Sequence, residues 1–89
     1  MNSTLDPAFI KCYAGLPERV RELARAQYRL WKANPDHPGL NFKRLQTPDP
    51  LVSVRINEQY RAVGVIYKDR VSWFFIGTHA DYNALLRRR

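Results

Sequence analysis

The sequence has very little of the residues that build disulfides and zinc sites. It contains one cysteine, Cys12, and two histidines, His37 and His79. A lone cysteine excludes an internal disulfide, and these three residues do not predict a structural zinc site. No apolar run approaches the roughly 18 residues of a membrane-spanning helix, and the N-terminus lacks a signal-peptide pattern. We therefore expect a cytoplasmic protein that uses no metal or other cofactor and has no membrane partner.

Acidic residues are also scarce relative to basic ones. Eight Asp and Glu stand against fifteen Lys and Arg, which gives a net charge of +7. Eleven of the basic residues are arginine, whose planar guanidinium matches phosphate geometry better than a lysine ammonium does. This balance predicts a polyanionic or acidic partner. A basic surface that serves only solubility is the alternative.

The length and composition predict one folded domain that spans residues 1–89. Two independent cores do not fit in a chain of this size. The hydrophobic fraction of 45% and the aromatic fraction of 12% are enough to build a core, which argues against disorder.

The first third of the chain predicts a helical hairpin. Residues 3–5 could form a brief edge strand before it. Asp6 followed by Pro7 is typical of a helix start, and Gly15 of a helix end. Pro17 opens a second helix, which should end before the Asn34-Pro35 pair because a residue that precedes proline avoids the α region. The expected buried stripe of this helix comprises Val20, Leu23, Ala24, Gln27, Leu30 and Trp31, with Arg21, Arg25 and Arg29 on another face.

From residue 41 the apolar period changes to two, which indicates strands. We predict them at residues 41–45, 51–56, 60–67 and 71–76, with Gly77 ending the last. The short turns between them make the sheet mainly antiparallel. Thr78 followed by Asp81 resembles a capping box and starts a final helix, with Leu85 and Leu86 inward and Arg87–Arg89 at its end.

The fold class is therefore α+β: a helical hairpin, a sheet of about four strands and a C-terminal helix. One face of such a sheet packs on the helices, and the other can stay solvated. We expect a functional site on the solvated face.

The candidate site residues are basic and aromatic residues of the sheet, followed along the chain by a histidine. The sequence has no glycine-rich phosphate loop, no paired-carboxylate motif and no nucleophile elbow. Arg55 points away from the apolar face of its strand, and Arg61 lies on the next strand. His79 is at the start of the final helix, where the helix dipole favours a phosphate and a neutral imidazole, and Tyr82 is on the same side. Solvated strand arginines and a capping histidine are the alternative interpretation.

Two segments of this sequence resemble the RelE/ParE toxin superfamily of bacterial type II toxin–antitoxin systems. The first is SVRINEQYRAVGVIYKDRVSWFFIGTHADYNALL, and the second is the preceding LPERVRELARAQYRLWKANPDHPGLNFKRL. The similarity covers roughly residues 6–86, and its most specific parts are the VRI…YRA strand pair and the WFFIGTHADY junction. The resemblance implies a RelE-like fold and a cognate antitoxin that holds the toxin inactive.

The resemblance also implies a choice between two activities. RelE-like members are metal-independent endoribonucleases that cleave mRNA, commonly on the ribosome, and so inhibit translation. ParE-like members inhibit DNA gyrase and perform no chemistry. A basic RNA-binding module without activity is a third alternative.

The site residues carried over from the family fall on the same group of side chains. Arg61 matches the arginine that contacts the scissile phosphate, and His79 resembles the proton-transferring histidine of the YafQ branch. Tyr82 is the nearest counterpart of the late tyrosine of RelE-like members. The YafQ branch carries further histidines in its middle strands, where this sequence has none. The candidate substrate-binding residues on the earlier strands are Lys43, Arg44 and Arg55.

Metal-free RNA cleavage needs a base, an acid and cations that stabilise the charge on the phosphorane. Arginine stays protonated and so supplies charge rather than proton transfer. This leaves His79, Tyr82 and Asp81 as proton carriers, with His79 first.

Overall fold

The chain begins with a strand and two helices in a computed structural model that describes residues 1–88. Strand β1 spans Asn2–Leu5, helix α1 Pro7–Ala14 and helix α2 Glu18–Ala33. The side chain of Asp6 caps α1 by accepting a hydrogen bond from the backbone N–H of Ala8 at 2.8 Å. The predicted edge strand, helix start and helical hairpin are therefore confirmed.

Arginines of α2 help to close this hairpin. Arg21 Nη1 donates to the carbonyl of Leu16 at 2.6 Å, and Arg25 Nη1 donates to the hydroxyl of Tyr13 at 2.5 Å. The buried stripe observed on α2 is narrower than the predicted one, since Leu23 remains 38% exposed. The buried residues of α2 are Val20, Ala24 and Trp31.

The connection from α2 to the sheet is a short turn that contains the first histidine. A 3₁₀ turn covers Pro38–Leu40, and Nδ1 of His37 accepts the backbone N–H of Gly39 at 3.0 Å. His37 therefore has a structural role. Asn41 follows in the left-handed region with a φ of 46°, so the next strand does not begin at residue 41 as expected. Strand β2 comprises only Lys43–Arg44.

The remaining strands form the expected meander. Strand β3 spans Leu51–Arg55, β4 Tyr60–Tyr67 and β5 Arg70–Thr78. The five strands lie in the order β1-β5-β4-β3-β2, and each neighbouring pair from β2 to β5 is antiparallel. Strand β1 adds to the free edge of β5 in parallel orientation, so the sheet is mixed.

Gly77 does not end β5, in contrast to the prediction. It pairs with Arg61 within the sheet, and the strand continues to Thr78. Thr78 is instead the boundary, because its hydroxyl accepts the backbone N–H of Asp81 at 3.1 Å and caps helix α3, His79–Arg87. The predicted helix cap is thus confirmed. Of the predicted basic end of the helix, Arg89 lies outside the described residues.

Each face of the sheet is covered by helices. On one face, α1 and α2 pack over Val52, Val54 and Ile56, and Trp31 meets Trp73 edge-to-face at 5.3 Å between ring centroids. On the other face, α3 covers a second cluster, which we define as Leu51, Val63 and Tyr82 with Leu45, Phe74, Phe75, Leu85 and Leu86 around them. The expectation of a solvated second face is therefore wrong over its centre. No helix in residues 1–88 combines the length and apolar character needed to cross a bilayer.

Gly64 lies at a tightly packed point of the sheet, where a side chain has no room. The register between β4 and β5 shifts at Val63/Gly64. A Cβ on Gly64 would lie 2.6 Å from Cγ1 of Val71 and 2.9 Å from the carbonyl oxygen of Ser72. Because the second of these atoms belongs to the backbone, the sheet would have to move to accept any side chain.

We predict that Gly64→Ala lowers the free energy of unfolding by about 1–3 kcal/mol, the usual cost of overpacking a core. Gly15→Ala is the matched control, since a Cβ there meets its nearest atom at 3.7 Å with a φ of −84°. The control should be neutral or stabilise by up to about 1 kcal/mol. Urea unfolding followed by circular dichroism measures both. Equal stabilities of Gly64→Ala and the parent would contradict the packing described here.

Candidate functional site

The register of the central strands brings two arginines side by side. Arg55, the last residue of β3, is the direct partner of Arg61 near the start of β4. Residues that face each other across an antiparallel pair project to the same side of the sheet. Arg61 is two residues before Val63, which packs under α3. Both arginines therefore belong to the α3 side of the sheet, at the end where the second cluster stops.

The guanidinium of Arg61 is held by the turn that connects β3 to β4. Its Nη1 donates to the carbonyl of Asn57 at 2.5 Å and to the carbonyl of Tyr60 at 3.0 Å. The side chain is half-buried, whereas that of Arg55 is exposed. Neither arginine forms an ion pair with a carboxylate among residues 1–88, and this includes Glu58 in the turn and Asp81 in α3. Both charges remain available to an anion.

His79 reaches the same turn from the other side. Its backbone N–H donates to the carbonyl of Gln59 at 2.6 Å, which fixes the start of α3 against the β3–β4 turn. The imidazole is exposed and stacks on the ring of Tyr82, with 5.6 Å between the centroids and 23° between the planes. The structure thus brings Arg55, Arg61 and His79 to one end of the sheet, a group that we call the turn site.

Tyr82 supports the turn site with a buried aromatic ring. Only 7% of its surface is exposed, and it packs with Leu51 and Val63 in the second cluster. Its ring therefore forms a fixed surface against which the imidazole of His79 rests. Tyr82 remains the alternative to His79 as a proton carrier.

Asp81 lies close to the turn site in the first turn of α3. A Cβ built on Gly77 would lie 3.4 Å from Oδ2 of Asp81 and 2.9 Å from the ring of Phe75. Gly77 is also the strand partner of Arg61. The missing side chain of Gly77 therefore lets the Asp81 carboxylate and the Phe75 ring approach the strand next to Arg61.

The three predicted substrate-binding residues do not all share this location. Lys43 pairs with Ser53, which is two residues before Arg55, so Lys43 lies on the same face as the turn site. Arg44 pairs with Val52, a residue of the core beneath α1 and α2, and therefore belongs to the opposite face. The short β2 carries one basic residue to each side, since neighbouring strand residues alternate.

Asn57 is a feature of the site that the sequence analysis missed. From the sequence, its segment reads only as a tight connection between two strands. Its side-chain oxygen accepts the backbone N–H groups of Gln59 and Tyr60 at 2.8 and 2.9 Å. An asparagine at the first position of a turn is a known signal for this geometry.

A concavity of the molecule lies away from the turn site, on the opposite face of the sheet. A cavity of about 380 Å³ opens between α1, α2 and the opposite face of the sheet, and apolar side chains such as Phe9, Trp31 and Trp73 line it. It includes neither Arg61 nor His79. Within residues 1–88 no group of three or more His, Cys, Asp or Glu side chains could hold a metal ion.

Comparison with known proteins places this architecture among toxins. A family model described as the ParE-like toxin domain matches residues 18–84. No curated protein is significantly similar to the chain.

Several solved structures share the fold at low sequence identity. The RelB-RelE antitoxin-toxin complex from Methanococcus jannaschii aligns with a TM-score of 0.72 and 11% identity, covering 91% of this chain and 95% of that one. The YoeB/ParE toxin from Agrobacterium tumefaciens gives 0.68 and 17%, covering 89% and 99%. The isolated E. coli RelE toxin gives 0.63 and 19%, covering 99% and 98%. At these identities the matches show the fold, which agrees with the predicted RelE-like architecture.

Proposed function

Because this chain belongs to the family of ParE-like toxin domains, we propose that it is the toxin of a type II toxin–antitoxin system and cleaves mRNA without a metal ion. The observation that supports cleavage is the turn site, where two arginines without carboxylate partners among residues 1–88 share one end of the sheet with an exposed histidine. RNA cleavage without a metal ion requires cations that stabilise the phosphorane and a side chain that transfers a proton.

The proposed reaction uses the ribose 2′-hydroxyl as its nucleophile. The 2′-oxygen attacks the adjacent phosphorus, the bond from phosphorus to the 5′-oxygen breaks, and a 2′,3′-cyclic phosphate forms. The 2′-proton must go to a base, and the leaving 5′-oxygen must receive a proton from an acid. Arg61 stabilises the extra negative charge on the phosphorane. His79 carries one of the two protons, and Asp81, whose carboxylate lies next to Gly77, is the candidate for the other.

The basic residues around the turn site would bind the phosphates on either side of the scissile one. Lys43 and Arg55 lie on the same face as Arg61 and are both exposed. Arg44 contributes to the general positive charge from the opposite face. The net charge of +7 supports mRNA on the ribosome as the target, since both are polyanionic. Because ribosomes are in the cytoplasm, the proposed target implies a cytoplasmic location.

We further propose a cognate antitoxin as the protein partner. The structure from Methanococcus jannaschii that shares this fold is a complex of toxin and antitoxin. An antitoxin that covers the turn site, or that places acidic residues there, would compete with RNA for the same arginines.

Gyrase inhibition without chemistry is the second candidate function. Two observations favour it: the matching family model is that of ParE-like toxins, and strands β3 and β4 contain no histidine. Both candidates are toxic, so growth arrest alone does not distinguish them.

We predict that expression without the antitoxin stops translation before DNA synthesis, because mRNA is the proposed target. Pulse labelling with methionine and thymidine measures the order of the two losses. Loss of methionine incorporation first agrees with the nuclease. Loss of thymidine incorporation first would replace it with gyrase inhibition, and normal growth at high expression would favour a binding module without activity.

Replacement of the phosphate-contacting arginine gives a direct test of the site. Arg61→Ala should slow cleavage by on the order of 10²–10³, the usual cost of removing one preorganised charge contact. Arg70→Ala is the matched control, since Arg70 is exposed at the opposite end of the same sheet, opposite Tyr67. The measurement is a cleavage time course on translating ribosomes, with circular dichroism to confirm folding. A folded Arg61→Ala variant that cuts as fast as Arg70→Ala would show that the site is not here.

A second pair of variants separates the roles of His79 and Tyr82. His79→Gln should slow cleavage by roughly 10²–10⁴, because glutamine retains hydrogen bonding but does not titrate. Tyr82→Phe should cut at close to the parental rate, since the phenyl ring preserves both the stack and the packing in the second cluster. The same time courses measure both variants. If Tyr82→Phe is slow and His79→Gln is fast, the tyrosine hydroxyl is the proton carrier.

A further inference from the structure

The β3–β4 turn contacts the turn site at two separate points. The carbonyl of Asn57 accepts from Arg61 Nη1 at 2.5 Å, and the carbonyl of Gln59 accepts from the backbone N–H of His79 at 2.6 Å. Arg61 belongs to β4 and His79 to α3, so the turn is the element that connects the two groups. Its carbonyls contact both groups, in addition to the strand pairing that places β4 beside β5.

The side chain of Asn57 bonds two backbone amides of this turn. Oδ1 of Asn57 accepts the backbone N–H groups of Gln59 and Tyr60 at 2.8 and 2.9 Å. A single side-chain acceptor thus satisfies two amides of the turn, in the manner of an Asx-turn. Two backbone bonds close the base of the turn: the N–H groups of Ile56 and Asn57 donate to the carbonyl of Tyr60 at 3.0 and 3.5 Å. The tip of the turn depends on Asn57.

We propose that Asn57 is a positioning residue: its side-chain oxygen fixes the turn whose carbonyls aim Arg61 and the start of α3 at one phosphate. The inference rests on the proposed function, and Asn57 itself contacts no substrate in it. Loss of the side-chain oxygen frees two amides and allows the carbonyls of Asn57 and Gln59 to rotate. A displacement of about 1 Å in a positioned group can cost on the order of 10² in rate.

The neutral amide is suited to this position. Aspartate would offer the same acceptor oxygen but would put a negative charge on the residue whose carbonyl contacts the Arg61 guanidinium. Asn57→Asp should therefore keep the turn and weaken RNA binding, whereas Asn57→Ala should lose the turn. Asn57→Ala tests the geometry of the turn, and Asn57→Asp tests the charge next to Arg61. If Asn57 only stabilised the fold, Asn57→Asp would not weaken RNA binding.

The first measurement is independent of RNA cleavage. Hydrogen exchange by NMR on the full chain compares the His79 amide in the parent, Asn57→Ala and Asn57→Asp, with Asn83→Ala as the matched control. Asn83 is exposed on α3 and makes no hydrogen bond through its side chain to another residue in 1–88. We expect about tenfold faster exchange of this amide in Asn57→Ala, as for one weakened hydrogen bond. Asn57→Asp and Asn83→Ala should exchange at the parental rate.

The second measurement is the kinetics of cleavage. We expect a lower kcat for Asn57→Ala, by about 10–10², with the fold confirmed by circular dichroism. For Asn57→Asp we expect a higher KM with kcat retained. Parental exchange at His79 together with a parental kcat in Asn57→Ala would overturn the proposal. If Asn57→Ala does not fold, the His79 exchange rate and the kinetics of Asn57→Asp test the proposal instead. A lower kcat for Asn57→Asp would then contradict the proposal. A parent that cuts no RNA would refute the proposed function, while the exchange measurement would still decide whether Asn57 holds the turn.

Discussion

The pairing of Arg61 with Arg55 on one side and Gly77 on the other sets the arrangement of everything at the turn site. This register places both guanidinium groups on the α3 side, next to Gly77, whose missing side chain lets the Phe75 ring and the Asp81 carboxylate approach the strand. Because strand side chains alternate, a slip by one residue would send Arg61 into the core beneath α1 and α2. The apolar residues of β3 and β4 oppose such a slip, since they fill that core. The packing of the fold and the position of the charges thus depend on the same hydrogen bonds.

Much of the fold can be predicted from the sequence, because its signals are local. The Asp6-Pro7 pair starts α1, and the alternation in residues 60–67 matches β4 to the residue. The parallel pairing of β1 with β5 cannot be predicted in this way, since it joins the two ends of the chain. The covering of the second face by α3 also escaped prediction, because alternation shows which residues share a face but not what packs on it. Gly77 was expected to break a strand and instead provides room within it.

The candidate site is less accessible to sequence reasoning than the fold. Arg55, Arg61 and His79 could be chosen from their residue types and places on predicted elements, and the structure brings these three together. Arg44 could not be separated from Lys43, because the side of the sheet depends on the exact register of a two-residue strand. Asn57 was missed because its contribution is a set of backbone contacts, visible only once the turn, β4 and α3 are assembled.

The central claim is that RNA binds at the turn site, and a titration with a non-cleavable RNA tests it most directly. The RNA is a short single strand with 2′-deoxyribose at the scissile position, added to ¹⁵N-labelled protein and followed by NMR. The account predicts that amide shifts concentrate at residues 55–61 and 77–82. It also predicts that affinity falls with salt, with a slope near −0.7 per phosphate contact in logarithmic units. Shifts confined to α1 and α2, or no binding at low salt, would contradict it.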